Sequence, residues 1–207
     1  MFPVWFVLFY LSCWAASPTL APPPTAAGIN VLPQWAGNRA SLDRTRGRLS
    51  ELGLNIQRWF VYLCYHSTLC RVREYPRIMS FINFPILMSN VECQRREFRG
   101  AECMNAMVRG LRAYESYLTR SKMLLDDAPG NAGAAAIGSA VTVVLSALNS
   151  LIEELPVDNK IGGVESNDKI VRALAEQSPG DVILSAFRLL EYLQMFLRDG
   201  RRAIAMM

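Results

Sequence analysis

Histidine is almost missing from this chain of 207 residues: His66 is the only one. A lone imidazole offers no obvious nucleophile–base–acid constellation, and no Gly-rich phosphate loop is present to seat a nucleotide. No cysteine pair has CxxC spacing, so a zinc site would have to be built with one histidine and irregular thiols, which argues against it. His66 lies between two cysteines and reads as a solvated loop residue. Lysine is scarce, since arginine supplies most of the positive charge. There is no lysine run, no RNA-binding aromatic motif and no zinc-finger spacing. The formal charge of +4 is too small to imply nucleic acid. No Asn-x-Ser/Thr triplet occurs, which excludes N-glycosylation. Strand patterns are scarce too. Ile78 to Met88 is apolar, but Pro76 and Pro85 bracket it and it reads as loop.

What is present is a globular composition, 51% apolar and 19% charged, in a chain long enough for one domain with a sizeable core. Val4 to Ala16 is an uncharged apolar run followed by small residues and proline. It falls short of the about 20 residues needed to span a bilayer, and it reads as a secretory signal cleaved near Ala15. The competing reading is a buried N-terminal helix. Residues 1–16 are thus expected to be a signal peptide, 17–40 a Pro/Ala/Gly-rich flexible tail, and 41–207 the folded domain. The mature chain is expected to be secreted, with no membrane insertion: the apolar third helix below is interrupted by Asn149, Glu153 and Glu154.

Removing the signal removes Cys13 and leaves Cys64, Cys70, Cys93 and Cys103, an even count that points to disulfides in a secreted chain. Four cysteines allow three pairings. Local pairing needs the least chain rearrangement, and closing such short loops contributes about 2.4 and 2.8 kcal/mol in the chain-entropy model.

Four segments carry one apolar face at helical period. The first has Leu49, Leu52, Ile56, Trp59 and Leu63. The second has Met107, Leu111, Tyr114 and Leu118. The third has Ile137, Val141, Val144, Leu148, Leu151 and Leu155. The fourth has Val182, Ala186, Leu189, Leu193, Phe196 or Leu197, and Ile204. Ser178-Pro179-Gly180-Asp181 is a strong helix start, Pro156 closes the third helix, and Pro129-Gly130 separates the second from the third. The link between the second and third helices, near Asp126 to Gly133, is short, which makes them antiparallel neighbours. The other two links, near Tyr65–Glu102 and Pro156–Gln177, are long enough to travel the length of a bundle. One short turn between two long crossovers predicts an all-α, up-up-down-down four-helix bundle, the order of the long-chain, growth-hormone-like cytokines.

One motif goes further. Cys93 and Cys103 enclose nine residues, and six residues later comes Gly110-Leu111-Arg112-Ala113-Tyr114-Glu115-Ser116-Tyr117-Leu118. This resembles the pattern Cys-x9-Cys-x6-Gly-Leu-x2-aromatic-x3-Leu of the interleukin-6 and granulocyte colony-stimulating factor family. Cys64-x5-Cys70 fits that family's first bridge, and the end of the chain, Phe196-Leu197 through Arg202-Ala203-Ile204 to Met207, is similar to the end of interleukin-6. Between these anchors the likeness is faint. The arginine- and alanine-rich composition is similar to that of the viral family members carried by rhadinoviruses. Physically the motif is a staple: the second bridge fixes a loop to the start of the second helix, Leu111, Tyr114 and Leu118 enter the core, and Gly110 permits close helix approach.

The resemblance implies a function: a secreted cytokine, not an enzyme and without a cofactor, that binds and dimerises glycoprotein 130 class receptors. Downstream of it would lie Janus-kinase signalling, cell growth and immune modulation. The alternative is an antagonist or decoy that binds without productive signalling. A first receptor surface, which in relatives takes the interleukin-6 receptor alpha chain, would use Phe98, Arg198, Arg201 and Arg202. Gln94 and Ala205 replace two expected contact residues there. The arginines read equally as a solvated basic helix end favoured by the macrodipole. A second surface, for glycoprotein 130, would use Glu51 and Asn55 with Ala140 and Val143. Independently, Ala136, Ala140, Val143 and Ala147 form a small apolar stripe off the predicted core face. It is either an outer face that needs cover or part of a more deeply buried helix. The third surface of relatives centres on a Trp near the start of the fourth helix, where this chain has Gly180.

Overall fold

Apolar residues at steps of three and four give each helical segment one face that must be buried, and four such faces meet in a single core. The structure, a computed structural model, describes residues 39–66, 69–71, 84–96, 98–127, 132–155 and 177–207. These residues form four long helices, α1 (Arg39–His66), α2 (Gly100–Asp126), α3 (Ala132–Glu154) and α4 (Pro179–Ile204), and no strand occurs among them. Short 3-10 turns lie at Leu69–Arg71, Leu87–Ser89 and Val91–Cys93. The signal and nearly all of the tail expected from the sequence lie outside the described residues, as do residues 67–68, 72–83 and 97 of the first long link and nearly all of the second. Arg39 and Ala40, assigned to the tail above, instead open α1.

The core contains the residues the periodicity marked, with others such as Leu42, Met104, Leu145 and Phe187 beside them. Leu49, Leu52, Ile56 and Leu63 of α1 are buried, as are Met107, Leu111, Tyr114 and Leu118 of α2. Ile137, Val141, Val144, Leu148 and Leu151 of α3 join them, with Val182, Ala186, Leu189, Leu193, Phe196, Leu197 and Ile204 of α4. Trp59 departs from this expectation, being only half-buried at the margin of the cluster. Helical spacing fixes its angle around α1, but it lies three residues from Ile56 and four from Leu63, where the stripe gives way to a seam.

The helix ends meet in a consistent way. Arg48, near the start of α1, donates to Glu154 at the end of α3, at 3.0 Å from Nη2 and 3.3 Å from Nε. A Cβ added at Gly200, late in α4, would sit 3.0 Å from Met107 Sδ and 3.5 Å from Leu49 Cδ1, placing the starts of α1 and α2 beside the end of α4. Phe60, late in α1, meets Phe187, early in α4, edge-on at 5.0 Å. A Cβ at Gly138 would lie 4.0 Å from Leu125 Cβ, joining the start of α3 to the end of α2.

Both sequence-local disulfides are formed. Cys64 pairs with Cys70 (Cα–Cα 5.2 Å) and Cys93 with Cys103 (4.9 Å). His66 is not a loop residue: it closes α1 and packs against Tyr62 and Tyr65 at 4.4 and 5.0 Å between ring centres. At the other end of the chain, the Ser178 cap is as the sequence predicts. Its Oγ accepts from the Asp181 N–H at 3.3 Å and donates to Asp181 Oδ2 at 2.7 Å, with Pro179 at the first helical position. Ser178→Ala is therefore expected to cost about 1 kcal/mol, read as a lowered denaturant midpoint at unchanged slope.

Candidate functional site

The second bridge organises the best-defined site. Cys93 and Cys103 are both buried. Between them the Arg99 N–H donates to Glu92 O at 2.8 Å and the Cys103 N–H to Arg99 O at 2.9 Å, so the loop closes onto the first turn of α2. Arg99 adds exposed ion pairs to Glu92 at 3.5 Å and Glu102 at 3.9 Å. Phe98 comes out of this loop half-buried. A Cβ at Gly100 would touch both Phe98 Cε1 (3.8 Å) and Met207 Cγ (3.7 Å), so Phe98 is brought to the C-terminal end of α4. Farther along α2, Gly110 lies directly under the Phe196 ring, which itself tilts against Tyr114 at 5.5 Å. The Tyr114 hydroxyl donates to Pro85 O at 3.2 Å, and burial pushes its phenol well above the ordinary tyrosine range. Phe84 stacks on Tyr192 at 4.2 Å, tying the segment before the bridge to α4.

Of the first-surface residues, Arg198, Arg201 and Arg202 are all exposed on the last turns of α4. Arg198 and Arg202 share the half-buried Asp199, at 4.0 and 3.5 Å. Arg198 and Arg201 line a groove between α4 and α1 of about 300 Å³. The structure thus places Phe98 at the end of α4 and turns two of the three arginines toward α1.

On the second surface, Glu51 and Asn55 line a narrow groove of about 130 Å³ between α1 and α3, with Ala147 and Ser150 opposite. Arg48 spans it, reaching Glu51 at 3.4 Å as well as Glu154. The hydrogen bond to Glu154, and then the charge of that carboxylate, raise the Arg48 pKa above its ordinary value. Val143 is 46% exposed, but Ala140 is fully buried and presents no outer surface. Ala140 sits one turn before Val144 and shares its core-facing side. Ala136 and Ala147 are half-buried against the core, so the expected apolar outer stripe reduces to Val143.

Sequence reasoning missed a third groove, about 480 Å³ and open, lined by Arg58, Trp59, Tyr62, Ala136 and Ser139. It joins two helices remote in sequence, and its one signal was a Trp at the edge of a core stripe. Among the described residues no group of His, Cys, Asp and Glu is placed to hold a metal. α3 is long and apolar enough to cross a membrane by length and composition; here Ile137, Val141, Val144 and Leu148 are buried in the bundle.

No known family profile matches this chain, and no curated protein matches it.

Proposed function

We propose that this chain is a secreted cytokine of the interleukin-6 kind, an up-up-down-down bundle that acts by binding glycoprotein 130 class receptors. The observation that carries the reading is the use made of the motif. Its six fixed positions make one joint: Cys93 bonds Cys103, Gly110 admits the Phe196 ring, and Leu111, Tyr114 and Leu118 are in the core. The end-to-end contacts support the helix order. α4 meets the starts of both α1 and α2 with its own end, and α3 meets α1 and α2 in the opposite sense, as up-up-down-down requires. The closure of both local bridges supports a chain that folds in an oxidising compartment.

In this reading the α1–α3 face, with Glu51, Asn55 and Val143, engages the signalling receptor. Phe98 with Arg198, Arg201 and Arg202 forms a reduced first surface, which makes a separate alpha receptor dispensable. Val143 is the large apolar residue exposed on α3, and burying it against a partner would remove apolar surface from water. Val143→Asp is expected to weaken binding to the soluble glycoprotein 130 ectodomain at least about tenfold, or about 1.4 kcal/mol, with the helical circular dichroism intact. Unchanged binding would remove this face from the assignment. Signalling in cells that bear glycoprotein 130 alone is the functional test; strict dependence on an alpha receptor would overturn the reduced-surface reading.

The antagonist reading rests on α4's start, where exposed Gly180 gives a third receptor no anchor. Receptor phosphorylation in treated cells separates the two.

A further inference from the structure

Two arginines of the reduced first surface, Arg198 and Arg201, also line the groove between α1 and α4, whose other polar walls receptor docking does not account for. Ser50, Gln57 and Gln194 line its walls, Arg198 and Arg201 lie along its α4 side, and Gly53 leaves a notch in its floor. A Cβ at Gly53 would meet nothing within 4 Å. Among the described residues that line it there is no carboxylate. The adjacent acid, Asp199, is half-buried and already shared by Arg198 and Arg202. Arg46, exposed, stands one turn before Ser50, whose hydroxyl donates to the Arg46 carbonyl at 3.0 Å. From Arg46 to Gln57 the helical rise gives a track about 16 Å long.

The geometry points to a binding site for a sulfated polysaccharide chain. Guanidinium forks match tetrahedral oxyanions in pairs of hydrogen bonds. The neutral amides and hydroxyl between them suit sugar hydroxyls, which a bare cationic patch would not engage specifically. Nucleic acid is the rival polyanion, but no aromatic side chain lines the groove to stack on a base. The site needs the protein to meet the cell surface, so biologically it rests on the secreted reading; its test uses no receptor, so the two fail separately.

The test measures binding of the disulfide-intact chain to a size-defined heparin oligosaccharide by calorimetry at fixed ionic strength. Gly53→Glu sets a carboxylate into the open notch, and Gly53→Gln sets a neutral side chain of the same shape. Glutamate is expected to weaken heparin binding at least tenfold, and glutamine less than threefold. Chemically desulfated heparin of the same length should bind at least tenfold more weakly than the sulfated chain. The site is overturned if glutamate and glutamine variants bind alike. The glycan assignment is overturned if desulfated heparin binds as well, or if single-stranded DNA or anionic vesicles of matched charge are equally sensitive to Gly53→Glu. Circular dichroism of both variants should match the parent chain, since a Cβ at Gly53 meets nothing within 4 Å.

Discussion

Gly110→Ala is expected to destabilise the protein by about 2 kcal/mol or more, although alanine in place of a mid-helix glycine normally gains about 1 kcal/mol. The added Cβ would lie 2.3 Å from Phe196 Cζ and 2.6 Å from Cε2. The ring has little room to yield. Phe196 is buried and leans on Tyr114, which is itself buried and held by its bond to Pro85 O. Either α2 and α4 must separate or Phe196 must leave its rotamer. Gly53 and Gly47 provide the contrast, because a Cβ at either meets nothing within 4 Å. Alanine there is expected to stabilise by up to about 1 kcal/mol. Denaturant midpoints of the three variants should therefore differ in sign, at similar slope. Phe196→Leu, which costs stability alone, should cost much less in the Gly110→Ala background, a coupling that a double-mutant cycle reads directly. An alanine at 110 as harmless as one at 53 would mean that the two helices do not approach here as described.

This example also shows what the sequence can and cannot express. The pattern Gly110–Leu111–Tyr114–Leu118 announces a helix face with a gap in it, but only the fold names Phe196 as the group that fills the gap. Periodicity placed nearly every residue it marked in the core, because burial depends on angle around a helix, yet it passed over buried residues beside the stripes such as Leu42, Met104, Tyr117, Leu145 and Phe187. It misjudged Trp59 and left Ala140 open between an outer and a buried face, because burial also depends on how closely the neighbouring helix approaches. The grooves were illegible for a related reason. Trp59 and Tyr62 face Ala136 and Ser139, and Ser50 and Gln57 face Gln194 and Arg201; no local window contains both walls. His66 was misplaced because flanking cysteines look like loop punctuation, whereas Cys64 stands inside the last turns of α1. Capping, by contrast, is chemistry within four residues, and Ser178 to Asp181 could be read from the sequence alone.

The two disulfides should differ sharply in what their loss does. Replacing Cys93 and Cys103 together by alanine is expected to cost about 3–5 kcal/mol: about 2.8 from chain entropy, with the rest from lost packing of two buried side chains. Cys93 and Cys103 are 0% and 1% exposed, so the atoms removed are core atoms. Replacing Cys64 and Cys70, both exposed, removes only the loop constraint and is expected to cost no more than about 2.4 kcal/mol. Access should order their chemistry as well, since an attacking thiolate must reach sulfur. Mild reductant followed by alkylation and mass spectrometry should label Cys64 and Cys70 first. The buried bridge matters to the surface too. It closes the loop that delivers Phe98 to the end of α4, where Gly100 and Met207 meet. Below its lowered melting temperature, the Cys93/Cys103 variant should lose whatever binding Phe98 supports while keeping binding that depends on Val143. If both bindings fell together at temperatures where the helices persist, the two faces would be coupled through the core, and the loop's separate role would be refuted.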